Sequence, residues 1–419
     1  MTIKFRLILM NFMQFFIWGA WLITIGHYWF DNHLGSATQF AAIFSTMGIS
    51  ALFMPALTGI IADRFINAEK LYGILHILGA TVLFSLPLVK NPVAFFWVML
   101  LNMLFYMPTL SLSITVAYTA LKKNNKDVVK DYPPIRTWGT VGFIAALWTV
   151  SISKNESSPN QFYIASAVAL ALGIYSFSLP KCPPPSNRSE KSTFTDSFGL
   201  NAFKLFKIPK FAIFFTFCML LGAALQLTNA YGDVFLGDFS KIPAYHNTVA
   251  VKYPAIIMSI SQASETFFIL AIPFFLRRLG IKYVMLISML AWVLRFGLFA
   301  FGDPAGGLWM IILSCIVYGM AFDFFNISGS LFVETQTSHE IRASAQGLFM
   351  MMVNGFGALF GSFASGIIID KYFTLADHSK NWHGIWLCFS GYALAIAIIF
   401  PFIFRFNNDT EILTVTEPV

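Results

Sequence analysis

The sequence predicts an all-α integral membrane protein of twelve transmembrane helices. Three observations carry that reading. Of the 419 residues, 57% are hydrophobic and only 11% charged, whereas a soluble domain carries about a quarter charged residues. Apolar stretches of about 20 residues, the length needed to cross a bilayer core as a helix, recur along the whole chain. Lys and Arg gather in alternate connecting segments, as they do when alternate loops face the cytoplasm. A transmembrane barrel would show short alternating segments instead, and none dominates.

The hydrophobic runs place spans near 5–30, 40–62, 71–89, 93–121, 137–153, 162–179, 211–236, 254–276, 283–301, 307–333, 343–369 and 384–405. The first run follows Lys4 and Arg6, exceeds the core of a signal peptide and lacks a small-residue cleavage site, so it reads as a retained first span. With the N-terminus in the cytoplasm, 20 of the 27 Lys and Arg residues fall on inner segments and 6 on outer ones, Arg295 lying inside the ninth span. That bias puts both termini in the cytoplasm. The net charge of +7 does not indicate nucleic acid, because the basic residues sit in short loops rather than with aromatics on a polar domain. Cys182, Cys218, Cys315 and Cys388 show no paired spacing, so neither a disulfide framework nor a metal site is expected.

The longest inner connection, 180–210, holds a proline triplet among Ser, Thr and charged residues and reads as an interdomain linker. It separates an N-terminal six-helix bundle, 1–179, from a C-terminal six-helix bundle with a short cytoplasmic tail, 211–419. Two six-helix bundles around a central cytoplasmic loop describe the major facilitator architecture, whose halves rock about a site near the bilayer midplane. GIIADR, Gly59 to Arg64, ends span 2, and GIIIDK, Gly366 to Lys371, ends span 11 on the opposite face, as inverted three-helix repeats would place them. The first string also resembles the superfamily's loop 2–3 signature, although Asp63 and Arg64 continue as FINAEK without the usual Gly and basic pair. An acid at a helix end beside a snorkelling Arg reads it equally well.

Two acids mark the function. Glu265 is the twelfth of the 23 residues from Pro254 to Leu276, and Asp323 lies past the middle of Leu308 to Val333. A lone charge at a helix centre costs roughly 2.5–3.5 kcal/mol on insertion scales, and such residues face a bundle interior or a watery path. Other polar groups recur three or four residues apart and so share a helix face. Arg136, Thr140 and Phe143 do so in span 5, which is entered through Pro133 and Pro134, a pair suited to a first helical turn. Gln226 pairs with Asn229 in span 7, Gln262 with Glu265 in span 8, and Tyr318 with Phe322 beside Asp323 and Asn326 in span 10. Each has a plainer reading. Single amides serve as interhelical glue, the aromatics as ordinary packing, Arg136 as a helix-end charge, and the acids as one side of a buried ion pair. His27 and His76 read as structural, and Arg295 as an ion-pair partner or a snorkelling side chain. Amides can read a base edge and aromatics can stack on it, while carboxylates accept from ribose hydroxyls. Sugars fit nearly the same set, so the residues alone define a polar, uncharged, partly flat solute.

Across QFFIWGAWLITIG, MPALTGIIADR, YMPTLSL, DYPPIRTWGTVGFI, LQLTN, IMSISQASETFFILAIPFFL, AWVLRFGLFAFGDP, VYGMAFDFFNISGSLFVE and IRASAQGLFMMMVNGFG, the chain resembles the bacterial nucleoside:proton symporter family of the major facilitator superfamily. The resemblance implies import of purine and pyrimidine nucleosides with protons across the inner membrane, with substrate contacts at Arg136, Thr140, Phe143, Gln226, Asn229, Gln262, Glu265, Tyr318, Phe322 and Asp323. In one respect the chain departs from it. The family motif has an acid two residues before the Gln of LQLTN, where Ala224 stands here, so no proton can be carried at that position.

The expected mechanism is alternating access. Asp323, or failing it Glu265, takes up a proton, the nucleoside binds, and closure follows when both are aboard. The expected partners are nucleoside, proton and lipid bilayer, with no cofactor, no metal and no nucleic acid, and a single chain as the working unit. A disaccharide-type sugar:proton symporter and a nucleoside uniporter without proton coupling are the alternatives. An enzyme is not expected, because no His/Glu metal spacing, Gly-rich phosphate loop or Ser/His arrangement occurs in the loops.

Overall fold

The structure is a computed structural model that describes residues 2–184, 200–338, 341–377 and 379–405. Residues 185–199 of the linker expected at 180–210, with Arg188 and Lys191, lie outside the described residues, as do the tail beyond 405 and the side chain of Asp63. Among the described residues nine helices are long and apolar enough to cross a membrane, and the only β pairing is an isolated bridge between Thr374 and Lys380. The contacts divide the chain into unit 1, Met1–Lys191 with Asn229–Ser259, and unit 2, Ser192–Thr228 with Ile260–Val419.

Unit 1 opens with α1 (Ile3–Gly19) and α2 (Ile25–Asp31), so the first predicted span is interrupted at 20–24. α3 (Ala37–Arg64) starts at a capping box in which Ser36 and Gln39 satisfy each other's backbone N–H groups. α4 (Ala68–Ser85) and α5 (Pro92–Lys123) follow, the second capped by Asn91 with proline in its first turn and Lys122 and Lys123 in its last. Those lysines complement the partial negative charge of the helix C-terminus. α6 runs from Val128 to Ile152 and α7 from Asn160 to Ser176. Pro133 and Pro134 therefore lie inside α6 rather than in its first turn. The helix gains its earlier start from Asp127, whose carboxylate accepts from Lys130 N–H at 3.2 Å, and from a Lys4–Asp131 bond of 2.6 Å.

α1 and α6 meet through glycines. A Cβ on Gly19 would lie 2.5 Å from the carbonyl oxygen of Phe143, and one on Gly142 would collide with that of Phe12. Small residues that let backbones approach are the usual means of helix association in lipid, where no hydrophobic force acts between helices. Deeper in the unit, the Gln14 amide donates to Thr109 at 2.9 Å. Its carbonyl oxygen lies 2.7 Å from the Tyr72 hydroxyl and 2.8 Å from His76 Nε2. His76 is therefore part of a satisfied core network, as the sequence suggested.

α8 (Pro209–Asp238) crosses the unit boundary between Thr228 and Asn229. After α9 (Val249–Lys252), α10 (Pro254–Phe301) crosses it between Ser259 and Ile260. α10 is two helices joined at Gly280, whose φ of 75° lies in the left-handed region open to glycine. Unit 2 continues with α11 (Leu308–Gln336). A helical stretch over 342–373 then comprises α12 (Arg342–Met350), a π turn (Met351–Gly357), α13 (Ala358–Ile368) and a second π turn (Ile369–Phe373). α14 (Trp382–Ile403) closes the unit. Phe214, Phe332, Phe349 and Phe404 form much of its core, with the Phe214 and Phe332 rings 4.5 Å apart.

Candidate functional site

In unit 2 the two predicted acids are brought together by a close approach of α10 and α11. A Cβ on Gly319 would lie 2.7 Å from the carbonyl carbon and oxygen of Ser264 and 2.8 Å from the Glu265 nitrogen. Ser264 fastens the crossing. Its hydroxyl oxygen accepts from Gly319 N–H at 3.1 Å and lies 3.2 Å from the Cys315 carbonyl oxygen, to which it can donate. Glu265 follows Ser264 on α10, and Asp323 lies one helical turn beyond Gly319 on α11, so the electrostatic field of Glu265 reaches Asp323. Asp323 is 5% exposed, and its Oδ2 makes no hydrogen bond.

Arg295, on the second half of α10, is fully buried, the only Lys or Arg so placed among the described residues. It donates to the Ser314 carbonyl at 2.7 Å, with longer bonds of 3.4 Å to Thr228 and Ser261. Its guanidinium carbon sits 4.4 Å above the Tyr318 ring centroid. Tyr318 in turn stacks on Phe322, with ring centroids 5.8 Å apart and planes within 3°, and its hydroxyl is in hydrogen-bonding reach of Glu265. A buried cation, an aromatic pair and two carboxylates therefore form one electrostatically linked group. Phe322 and Asn326 line a narrow cleft with Leu221, Leu225, Trp292 and Val353. Asn326 donates back to the Phe322 carbonyl at 2.9 Å, which fits a structural role. Gln226 is buried with its Oε1 unbonded, and Gln262 is half-buried one turn before Glu265.

In unit 1, α6 carries the other predicted residues. Arg136 lies over the Phe15 ring at 3.9 Å, Thr140 is half-buried one turn later, and Phe143 meets Trp18 edge-to-face at 6.5 Å. Asn229 is half-buried on the part of α8 that belongs to this unit. The structure also brings in residues that the sequence did not place at a site. Ser264 and Gly319 set the approach of the acids, and Arg295 supplies the charge beside them. In unit 1, Asp233 is buried against His27. Asp233 carried the same signal as Glu265, an acid within an apolar run. Ser264 and Gly319 carried none, because serine and glycine are common in membrane helices.

Helices of membrane-crossing length with acids held together inside them define a multi-pass membrane transporter. The family model described as nucleoside H+ symporter matches residues 1–409. The chain belongs to that family. It is 50% identical over 412 residues to the xanthosine permease of Escherichia coli (strain K12), covering 98% of each chain. It is 48% identical over 409 residues to the nucleoside permease NupG of the same organism, covering 97% of each. A crystal structure of the nucleoside transporter NupG superposes with a TM-score of 0.91 at 48% identity, covering 97% of this chain and 100% of that one. The POT family transporter PepTSo, at 13% identity and a TM-score of 0.72 over 96% of this chain and 97% of that one, shares the fold.

Proposed function

We propose that this protein imports purine and pyrimidine nucleosides together with protons across the bacterial inner membrane by alternating access. One observation carries the chemistry. Asp323 and Glu265, which insertion energetics would exclude from lipid-facing helix centres, lie on two closely approaching helices of unit 2, within each other's electrostatic reach and with an aromatic pair on the same helix as Asp323. Membership of the nucleoside H+ symporter family over residues 1–409 supports the choice of solute and coupling ion.

In this reading Asp323 is the first proton carrier and Glu265 the second. Gln226 and Gln262 supply amides to the base, Tyr318 and Phe322 a stacking surface, and Glu265 and Asp323 acceptors for ribose hydroxyls. Arg136, Thr140, Phe143 and Asn229 also contact the substrate. Asp323 suits the carrier role because it forms no ion pair among the described residues. Moving a proton inward gains roughly 2.3 kcal/mol per 100 mV of membrane potential. We also propose twelve spans in two six-helix bundles with both termini inside. α1 and α2 then make one interrupted span, the 17-residue α7 another, and the 48-residue α10 two. The chain needs no cofactor and works as a monomer.

Uptake into proteoliposomes across a panel of nucleosides and disaccharides, with and without an imposed pH gradient, tests this reading. Accumulation of nucleosides alone, abolished by an uncoupler, is expected. Accumulation that an uncoupler leaves untouched would replace symport by uniport, and disaccharide uptake would replace the substrate class.

A further inference from the structure

A second group of acids lies at the opposite end of unit 1 from α6's first turn and includes no residue assigned to substrate, Asn229 lying one turn before it on α8. His27 on α2 places Nδ1 2.5 Å from Oδ2 of Asp233 on α8. Glu156, in the loop between α6 and α7, completes a set of three donor atoms that all lie within 4.8 Å of one another. Asp233 has no exposed surface, and its second oxygen, Oδ1, is buried without a hydrogen bond. The charged groups acting on His27 and Glu156 are Asp233, Asp31 and each other, with no Lys or Arg among them. Asp31 is engaged by the Ser157 hydroxyl.

The cluster sits where α8 is pressed onto α2. Gly237 leaves room for the imidazole, whose Nε2 occupies the place a Cβ would take, and Gly26 likewise faces Val234 and the Ala230 carbonyl. Around it, Tyr231 meets Phe40 edge-to-face at 5.7 Å, the Ala255 N–H donates to Glu156 at 3.3 Å, and the Trp148 indole donates to Ser259 at 3.0 Å. The apolar and glycine contacts do not change with pH. The polar core of the contact does. With imidazolium and two carboxylates the cluster carries one net negative charge, and one further proton makes it neutral. In the singly negative form, with both carboxylates ionised, Asp233 and Glu156 repel each other across a buried space.

We propose that His27, Asp233 and Glu156 form a second proton-binding site, loaded from the outer side, whose occupied form holds the outer end of α8 on α2 and whose emptied form releases it. Burial pushes the Glu156 carboxyl up to about 7, the charge of Asp233 adding to the rise and that of His27 opposing it. The proton moves from external water to a carboxylate oxygen and returns to the same water, so no charge crosses the membrane here. Acid outside favours closure of the outer end, and the protons moved per nucleoside stay as Asp323 and Glu265 set them. The inference rests on the proposed orientation and on proton-coupled import.

The test is spin-label distance measurement on the full chain in lipid nanodiscs, with labels at Lys90→Cys and Lys241→Cys and the exposed Cys388 replaced by serine. A single short distance is expected at acid pH, with a longer population growing as the pH passes through about 7. Glu156→Gln, neutral at every pH, should stay short throughout. Its uptake rate should lose the part of its external-pH dependence centred near 7, keeping the part that proton coupling itself imposes, while its steady-state accumulation ratio matches wild type. No pH dependence in the parent, or an unchanged one in Glu156→Gln, overturns the proposal. Closure at alkaline pH by Zn2+ that His27→Gln abolishes would make the cluster a metal site and also overturn it. Failure of proton-coupled import is read separately, as loss of gradient-driven accumulation by the unlabelled wild type.

Discussion

Replacing Gly319 by alanine tests whether the approach of α10 and α11 is what brings the two acids together. The added methyl would sit 2.7 Å from the carbonyl carbon and oxygen of Ser264, against an ordinary contact of 3.4 Å or more. The helices must part by about 0.7 Å, because the obstructing atoms are backbone and have no rotamer to escape into. Overpacking of this kind costs typically about 1–3 kcal/mol. That separation also stretches the Gly319 N–H to Ser264 bond, now 3.1 Å, beyond useful hydrogen-bond length. Tyr318 and Asp323 move with α11 and Glu265 stays on α10, so the variant should lose transport out of proportion to its stability. Loss of 100-fold or so for a misplacement near 1 Å is the usual scale for a positioned reacting group.

The control is Gly297→Ala, in the same unit, where the nearest atom to the new methyl is the Ser390 hydroxyl oxygen at 3.7 Å. That substitution should leave both properties unchanged, or gain slightly from alanine's helix propensity, worth about 1 kcal/mol over glycine. Melting temperature in detergent and initial uptake rate in proteoliposomes, measured on both variants, decide the matter. Wild-type melting and wild-type uptake in Gly319→Ala would refute the reasoning.

Asp323→Asn should abolish uphill accumulation while sparing nucleoside exchange, and pH-dependent accumulation in that variant, measured in proteoliposomes, would remove Asp323 from the carrier role. Arg295→Met removes a charge-assisted bond to the Ser314 carbonyl worth about 1.5–3 kcal/mol and a desolvated cation–π contact worth about 2. Unfolding in mixed micelles should show a loss of several kcal/mol, and Arg295→Lys should restore only part of it, because an ammonium lacks the planar fork. Glu156 in the folded chain holds its proton up to about 7, above the ordinary carboxylate value of 4.5. As pH rises between those values the unfolded chain releases this proton first, so stability falls. The melting temperature of wild type should drop across that interval, and that of Glu156→Gln should drop less.

The membrane class and the two acids inside the spans were legible because a charge inside an apolar run stands out against a strong background. Glu265 and Asp323 announce themselves by cost alone. Their adjacency was not legible. It depends on Gly319 meeting the backbone of Ser264, and a glycine's meaning is set by the helix opposite, which its own neighbours do not specify. Arg295 was visible as an ion in a span, yet its partners proved to be a carbonyl and an aromatic face, neither of which a search for complementary charges would find. His27 read as structural because its partner lies 206 residues away. The start of α6 differed for a local reason. Asp127 caps a turn ahead of the prolines, and a hydropathy window does not weigh capping.

The way Arg295 is held bears on the carrier role proposed for Asp323, little more than one turn along α11 from the Tyr318 ring that the guanidinium covers. Had its guanidinium gripped Asp323 in a bidentate pair, breaking that pair would leave an uncompensated buried charge, at a cost of about 3–5 kcal/mol. Each turnover would have to meet that cost when the carboxylate took up its proton. Instead the cation is held by the Ser314 carbonyl at 2.7 Å and by the Tyr318 face at 4.4 Å, groups whose charge does not change during transport, and its Nη2 makes no hydrogen bond. Asp323 keeps an unbonded oxygen and no ion pair among the described residues. Its protonation then alters the local field without dismantling a salt bridge. Tyr318 is where that change reaches the proposed substrate surface, since one ring bears the cation on its face, Phe322 in a parallel stack and Glu265 at its hydroxyl. Tyr318→Phe removes only the hydroxyl. It should keep the stack and the cation contact, and so preserve nucleoside binding in alkaline medium. The tightening of binding on acidification should shrink, because the link to Glu265 is gone. Titration calorimetry at two pH values reads both effects, and an unchanged pH dependence would show that the hydroxyl carries none of the coupling.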